Sequence, residues 1–209
     1  MAVQQSLDER AKAMSPAFVL DRITAVPKLI GDPKDILFVA GLAGTAKDIA
    51  AICGDMPNYY AMAGTMGAAV SVGIGLALAQ PNKRVIVATG DGELLMNVGA
   101  LATAAIMNPP NLSILCVDNG HYGETGYQKS HTSLGVDLEK MAIGAGIMST
   151  RTVSEEGEIE SAGKLMRESN GVSFVLLRVA PTDGPKFKRS LDGGLAMRRF
   201  MDGLLGAPA

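Results

Sequence analysis

Four uninterrupted apolar runs punctuate the chain: ILFVAG at 36–41, KRVIVATG at 83–90, NLSILCVDN at 111–119 and VSFVLLRVA at 172–180. Short and largely apolar throughout, each predicts a strand covered on both faces, the pattern of a parallel sheet. Between these runs the apolar positions fall at helical spacing. Ser15 and Pro16 predict an N-cap and a first helical residue, opening a helix through Leu29 that Gly31, Asp32 and Pro33 end. Further helices are predicted over 45–53, 67–80, 92–107, 137–146, 155–169 and 191–204, with loops around Pro57 and over 119–135. A strand, a helix and a parallel strand in succession imply a right-handed crossover. The expected fold class is α/β, a three-layer sandwich with a mainly parallel sheet.

Composition changes this picture in one place. Residues 56–117 hold only four charged side chains, Lys83, Arg84, Asp91 and Glu93, so the middle of the chain is expected to be core, with Asp91 deep inside it. Residues 56–82 are uncharged and about as long as the ~20 residues a bilayer needs. Gly64, Gly67, Gly73 and Gly75 with many alanines suit close packing in a soluble core better than lipid contact, so no membrane span is expected. A net charge of −2 and an absence of Trp leave neither the electrostatics nor the stacking surface of a nucleic-acid binder. Cys53 and Cys116 stand in no metal or redox motif and are expected to be buried thiols. The first residues carry Asp8 and Glu9 and lack the apolar stretch of a secretory signal, so a cytoplasmic protein is expected.

Ligands of parallel α/β sheets collect beyond the carboxyl ends of the strands, which directs attention to GDGE at 90–93 and DNGHYGETG at 118–126. Gly90, Asp91 and Gly92 turn a strand into a helix start whose free N–H groups attract an anion such as phosphate. Asp91 has the wrong sign for phosphate unless a divalent cation lies between them, and Asn119 offers a further hard oxygen of the kind Mg²⁺ takes. Taken singly, Asp91 also reads as an N-cap and Asn119 as a turn residue before Gly120. Together they are separated by enough chain for one helix and one returning strand.

GDG followed at this interval by Asp118-Asn119 resembles the diphosphate-binding signature of thiamine-diphosphate enzymes, usually written with two Asn. The resemblance runs from about Asp35 to Val179. AMAGTMGAAVSVGIGLALAQPNKRVIVATGDGELLMNVG and YGETGYQ are most similar to the decarboxylases of sulfopyruvate and phosphonopyruvate within that family. It implies Asp91, Asn119 and the backbone carbonyl of His121 as Mg²⁺ ligands, with backbone groups of Gly90, Gly92 and Glu93 near the diphosphate. It further implies Met66 as the apolar prop that bends the cofactor, the Gly64 carbonyl facing its 4′-amino group, and Tyr122 and Gly123 beside it. Met66 without this match reads as a core methionine.

The resemblance implies decarboxylation of a small anionic 2-oxo acid to an aldehyde. Glu124 stands where a small hydroxyl residue is expected, and either acts as an acid/base group or repels an anionic substrate tail. The imidazoles of His121 and His131 are the alternatives for proton transfer, and Lys129 is either an anion partner or a solvated surface residue. The expected organisation is an N-terminal helical segment over 1–34, the cofactor-binding domain over 35–182, and a linker with a helix over 183–209. The Glu that activates the cofactor's aminopyrimidine belongs to a second domain in this family, and the first 34 residues offer only Asp8, Glu9, Asp21 and Asp32 as acids. A partner subunit carrying the pyrimidine-binding domain is therefore expected, in a hetero-oligomer. Alternatives are a carboligating enzyme of the acetolactate synthase kind, a non-catalytic scaffold subunit, and a flavin- or dinucleotide-binding module. The last lacks its glycine motif, since ILFVAGLAGTA offers only Gly41 and Gly44.

Overall fold

A computed structural model of the chain describes residues 17–62, 64–187 and 192–206. Its elements are α1 (Arg22–Ile30), β1 (Ile36–Ala40), α2 (Ala43–Cys53), β2 (Tyr59–Ala61), α3 (Ala69–Ala79), β3 (Arg84–Gly90), α4 (Asp91–Met96) and α5 (Ala100–Met107). They continue with β4 (Leu112–Asp118), β5 (His121–Tyr122), β6 (Gln128–Lys129), α6 (Leu138–Gly144), β7 (Ser149–Val153), α7 (Ile159–Glu168), β8 (Ser173–Arg178) and α8 (Gly193–Leu205). Six strands make one sheet in the order β2-β1-β3-β4-β8-β7, all parallel. β5 and β6 form a separate antiparallel hairpin.

Successive side chains of a strand point to opposite faces, and here both faces are covered. Phe38, Ile86, Leu115, Val175 and Leu177 join α1, α2 and α7 in one core. Leu37, Val39, Val87, Ile114 and Phe174 join α3, α5, α6 and α8 in the other. This two-sided burial is why the strands carry no polar alternation, and it makes the fold the expected three-layer sandwich. Small residues let the layers approach: a Cβ on Gly73 of α3 would lie 2.0 Å from a Val87 methyl on β3. Asn111 closes the α3–β3 connection by donating to the carbonyls of Ala77, Gln80 and Lys83 at 2.8–3.1 Å. Cys53 and Cys116 are both buried and free. No helix among the described residues is long and apolar enough to cross a membrane.

Several predicted boundaries change. The first helix begins at Arg22, capped by the Asp21 side chain; Leu20 instead bridges Val179 beside the sheet, and Ser15 and Pro16 lie outside the described residues. The helix expected over 92–107 is two helices, broken at Asn97–Gly99, where Asn and Gly are poor helix formers. The sheet has two strands beyond the four expected, β2 and β7, one at each edge. β2 is three residues long, and Ser149–Val153 is only partly buried, so neither presents an apolar run.

Candidate functional site

The carboxyl ends of β1, β3 and β4 converge on a cavity of about 200 Å³. Gly90, Asp91, Gly92, Glu93, Asn119, His121, Tyr122, Gly123 and Glu124 all line it, and so does Met66, 37% exposed. Gly64, in a turn at φ +102° after β2, is not in the lining. Lys129 and His131 are exposed and also stand outside it.

Asp91 opens α4 directly after β3 and is 3% exposed. Its Oδ2 accepts from the Ser130 hydroxyl and lies 3.2 Å from Thr132 Oγ1. Thr132 also reaches Asp118 Oδ1 at 2.6 Å, and the Gly120 N–H donates to the same oxygen at 3.0 Å. Ser130 and Thr132 each have one hydroxyl hydrogen to give, one to Asp91 and one to Asp118, so the two carboxylates are bridged by hydroxyls that carry no positive charge. No described basic side chain makes an ion pair with Asp91 or Asp118, and Asp118 Oδ2 is buried without a hydrogen-bond partner. Burial pushes the Asp91 carboxyl above its usual range. Burial, helped by the Asp91 charge, pushes Asp118 up to about 7.

Glu93 turns inward rather than presenting only its backbone. Its Oε2 accepts from the N–H groups of Leu42 at 3.1 Å and Gly90 at 3.4 Å, tying the turn after β1 to the turn after β3. Gly41 makes room for it, since a Cβ there would lie 1.9 Å from the Glu93 carboxylate. Burial raises the Glu93 pKa, and these donors partly offset the rise.

Beyond β4, Asn119 Oδ1 accepts from the His121 N–H at 3.1 Å, and His121 Nδ1 lies 2.9 Å from the Asn119 carbonyl. The side chain of Asn119 thus shapes its own turn while facing the cavity. Tyr122 lies over Gly92, where a Cβ would sit 2.3 Å from the ring, and its hydroxyl is 3.4 Å from His131 Nδ1. Tyr127, at φ +58°, donates from its hydroxyl to Asp183 Oδ1 at 2.8 Å. Both residues line the cavity, so the hairpin loop is tied there to the segment that follows β8.

Basic groups enter from elements to which the sequence reading assigned no role. Arg22 of α1 and Lys47 of α2 both line the cavity. Arg22 is held by Asp48 through Nε–Oδ1 at 3.2 Å and Nη2–Oδ2 at 2.5 Å, with both side chains buried. The segment GLAGTAK follows a predicted strand, so the rule that ligands gather at strand ends was enough to single out Lys47. The same rule covers the 119–135 loop that carries Ser130 and Thr132, whereas no comparable signal marks Arg22.

Residues 43–177 match the family model described as thiamine pyrophosphate enzyme, C-terminal TPP binding domain. The β subunit of sulfopyruvate decarboxylase from Methanocaldococcus jannaschii is 40% identical over 150 residues, 71% of this chain and 78% of that protein. The subunit of the same name from Methanothermobacter thermautotrophicus is 34% identical over 189 residues, 90% of this chain and 98% of that protein. Among solved structures, the thiamine diphosphate-dependent 4-hydroxybenzoylformate decarboxylase of Rhodococcus jostii RHA1 superposes with a TM-score of 0.67 at 22% identity. That superposition covers 81% of this chain and 34% of that one, and is a likeness of fold.

Proposed function

The chain belongs to the thiamine pyrophosphate enzymes, through their C-terminal TPP-binding domain, and from that premise we propose that it is the diphosphate-binding subunit of a Mg²⁺-dependent 2-oxo acid decarboxylase of the sulfopyruvate or phosphonopyruvate kind. One observation carries the reading: Asp91 and Asn119, from the ends of adjacent strands, line one cavity in which the Asp91 carboxylate is buried with hydroxyl partners and, among the described residues, no ion pair. The donors fit the group. A carboxylate, an amide oxygen and the main-chain carbonyl of His121 are the hard oxygens Mg²⁺ prefers, and a divalent cation offsets the cost of a buried, unpaired carboxylate.

In this reading Asp91, Asn119 and the His121 carbonyl hold the metal. Gly90, Gly92 and Glu93 line the diphosphate, with Glu93 also locking the two turns beside it. Met66 would support the bend of the cofactor, the Gly64 carbonyl would serve its 4′-amino group, and Tyr122 and Gly123 would lie beside it. Bound there, thiamine diphosphate supplies the electron sink that lets carbon dioxide leave a 2-oxo acid. Glu124 and His121, which both line the cavity, are the groups this reading assigns to proton transfer on the product side. The activating Glu comes from a partner subunit with the pyrimidine-binding domain, a reading supported by relatives that are themselves named β subunits.

Native mass spectrometry of the protein isolated with its natural partners, in Mg²⁺ and thiamine diphosphate, tests the assembly. The expected result is an unlike chain and bound cofactor; a bare homo-oligomer without cofactor overturns it. In the reconstituted complex, Asp91→Asn is expected to abolish Mg²⁺-dependent decarboxylation of sulfopyruvate or phosphonopyruvate without unfolding the chain. Full activity of that variant at limiting Mg²⁺ removes Asp91 from the metal site.

A further inference from the structure

The acidic end of the cavity leaves a charge problem that metal alone does not solve. Asp91 and Glu93 line that end, and a diphosphate adds several more negative charges. The helix after β3 is only six residues long, so its dipole is small. Arg22 lines the cavity, but its guanidinium is already matched by Asp48. Lys47 is different. It lines the cavity, is half-buried, and makes no ion pair among the described residues.

Local geometry aims Lys47 at a particular place. Helical side chains lean toward the N-terminus, so a residue covers the turn before its own Cα. That direction takes Lys47 toward the turn of Ala43 and Gly44, and all three residues line the cavity. That turn is held firmly: a Cβ on Gly44 would lie 2.5 Å from the Arg22 guanidinium, and Thr45 Oγ1 donates to the Leu42 carbonyl at 2.8 Å. The N-cap of α2, Leu42, offers no side-chain cap to its first turn.

The sheet order then sets the row. β4, β3 and β1 are consecutive neighbours, at about 4.8 Å between strands. Their ends present Asn119, Asp91 and the first turn of α2 in that order, with Glu93 joining the last two. A diphosphate held through Mg²⁺ at Asn119 and Asp91 would have the first turn of α2 as the next element along this row.

We propose that Lys47 binds the terminal phosphate of the cofactor and is the side chain that distinguishes a diphosphate from a monophosphate in this cavity. The inference rests on the Mg²⁺-diphosphate reading of the site. Titration calorimetry in excess Mg²⁺, on the protein isolated with its natural partners, tests it with thiamine diphosphate and thiamine monophosphate as probes. Lys47→Met is expected to weaken diphosphate binding about 10- to 100-fold, the scale of one charge-assisted contact, with monophosphate binding held within about twofold. Lys47→Arg restores most of the diphosphate affinity, and diphosphate binding by the wild type falls with salt more steeply than binding by Lys47→Met.

Unchanged diphosphate affinity in a folded Lys47→Met protein overturns the proposal, and so does an equal loss for both probes. Unchanged affinity accompanied by a raised KM for the 2-oxo acid assigns Lys47 to the anionic tail of the substrate, which also overturns it while the cofactor reading stands. A wild type that binds neither probe overturns both.

Discussion

Arg22 and Asp91 line the same cavity, yet the buried charges around them are treated in opposite ways. At Arg22, a bidentate contact with Asp48 closes the electrostatics within the protein. Burial still raises the Asp48 pKa against that pairing, while the Arg22 guanidinium pulls it down and favours the charged carboxylate. At Asp91, the partners are Ser130 and Thr132, with a second acid, Asp118, on the far side of Thr132. Hydroxyls orient a carboxylate but bring no compensating charge. The first arrangement is a structural ion pair that joins α1 to α2; the second is the one that the proposed reading completes with a cation. A ligand site is recognisable here by what the fold leaves uncompensated.

The largest expected effect tests the closed side. Arg22→Ala strands Asp48 as a buried, unpaired acid and is expected to cost about 3–5 kcal/mol in urea unfolding. Asp91→Asn removes an uncompensated charge, and the metal-free protein is expected to lose nothing; a loss matching that of Arg22→Ala makes the two sites alike and ends the contrast.

Next comes the ligand. Saturating Mg²⁺ and thiamine diphosphate, at about 100 times Kd, should stabilise the wild type by about 2.7 kcal/mol. Chelation by EDTA or the Asp91→Asn change should erase the gain, and calorimetric melting measures it.

A comparable effect follows pH. Asp118, at about 7 in the folded protein, lies above its ordinary unfolded value of about 3.9. The folded state therefore keeps a proton that the unfolded chain has lost. The stability this contributes is complete below about pH 3.9, declines as pH rises and is gone above about 7. Between about pH 5.5 and 8 the metal-free protein should lose about 2 kcal/mol from this group. Asp118→Asn should flatten that slope in unfolding experiments run across the range, whereas an unchanged slope places the titration elsewhere.

The smallest effect concerns the tie at the cavity wall. Tyr127→Phe removes an exposed hydrogen bond to Asp183 and should change stability by less than about 1 kcal/mol. Its expected consequence is kinetic, a faster release of thiamine diphosphate in stopped-flow measurements.

Much of the cavity wall was legible because its residues follow strand ends. Asp91 succeeds VIVATG and Asn119 succeeds SILCVD, so local pattern already put both at the carboxyl edge of a parallel sheet. The break at Asn97–Gly99 was less visible, because LLMNVGALATAAIM stays apolar across it and hydrophobic pattern does not report a turn. β7 escaped for the opposite reason: its side chains are half-exposed, and it is a strand because β8 is available to pair with it.

By itself, then, the sequence determined the layered α/β core and the pair of strand ends that carry Asp91 and Asn119, because two-sided burial and strand–helix order are written locally in apolar runs. Tertiary structure alone decided which charges those residues meet. Arg22 reaches Asp48 across 26 positions, Ser130 reaches Asp91 across 39, and Glu93 ties Leu42 across 51. Such contacts depend on how separate loops return over the sheet edge, and local periodicity reports burial, never the partner.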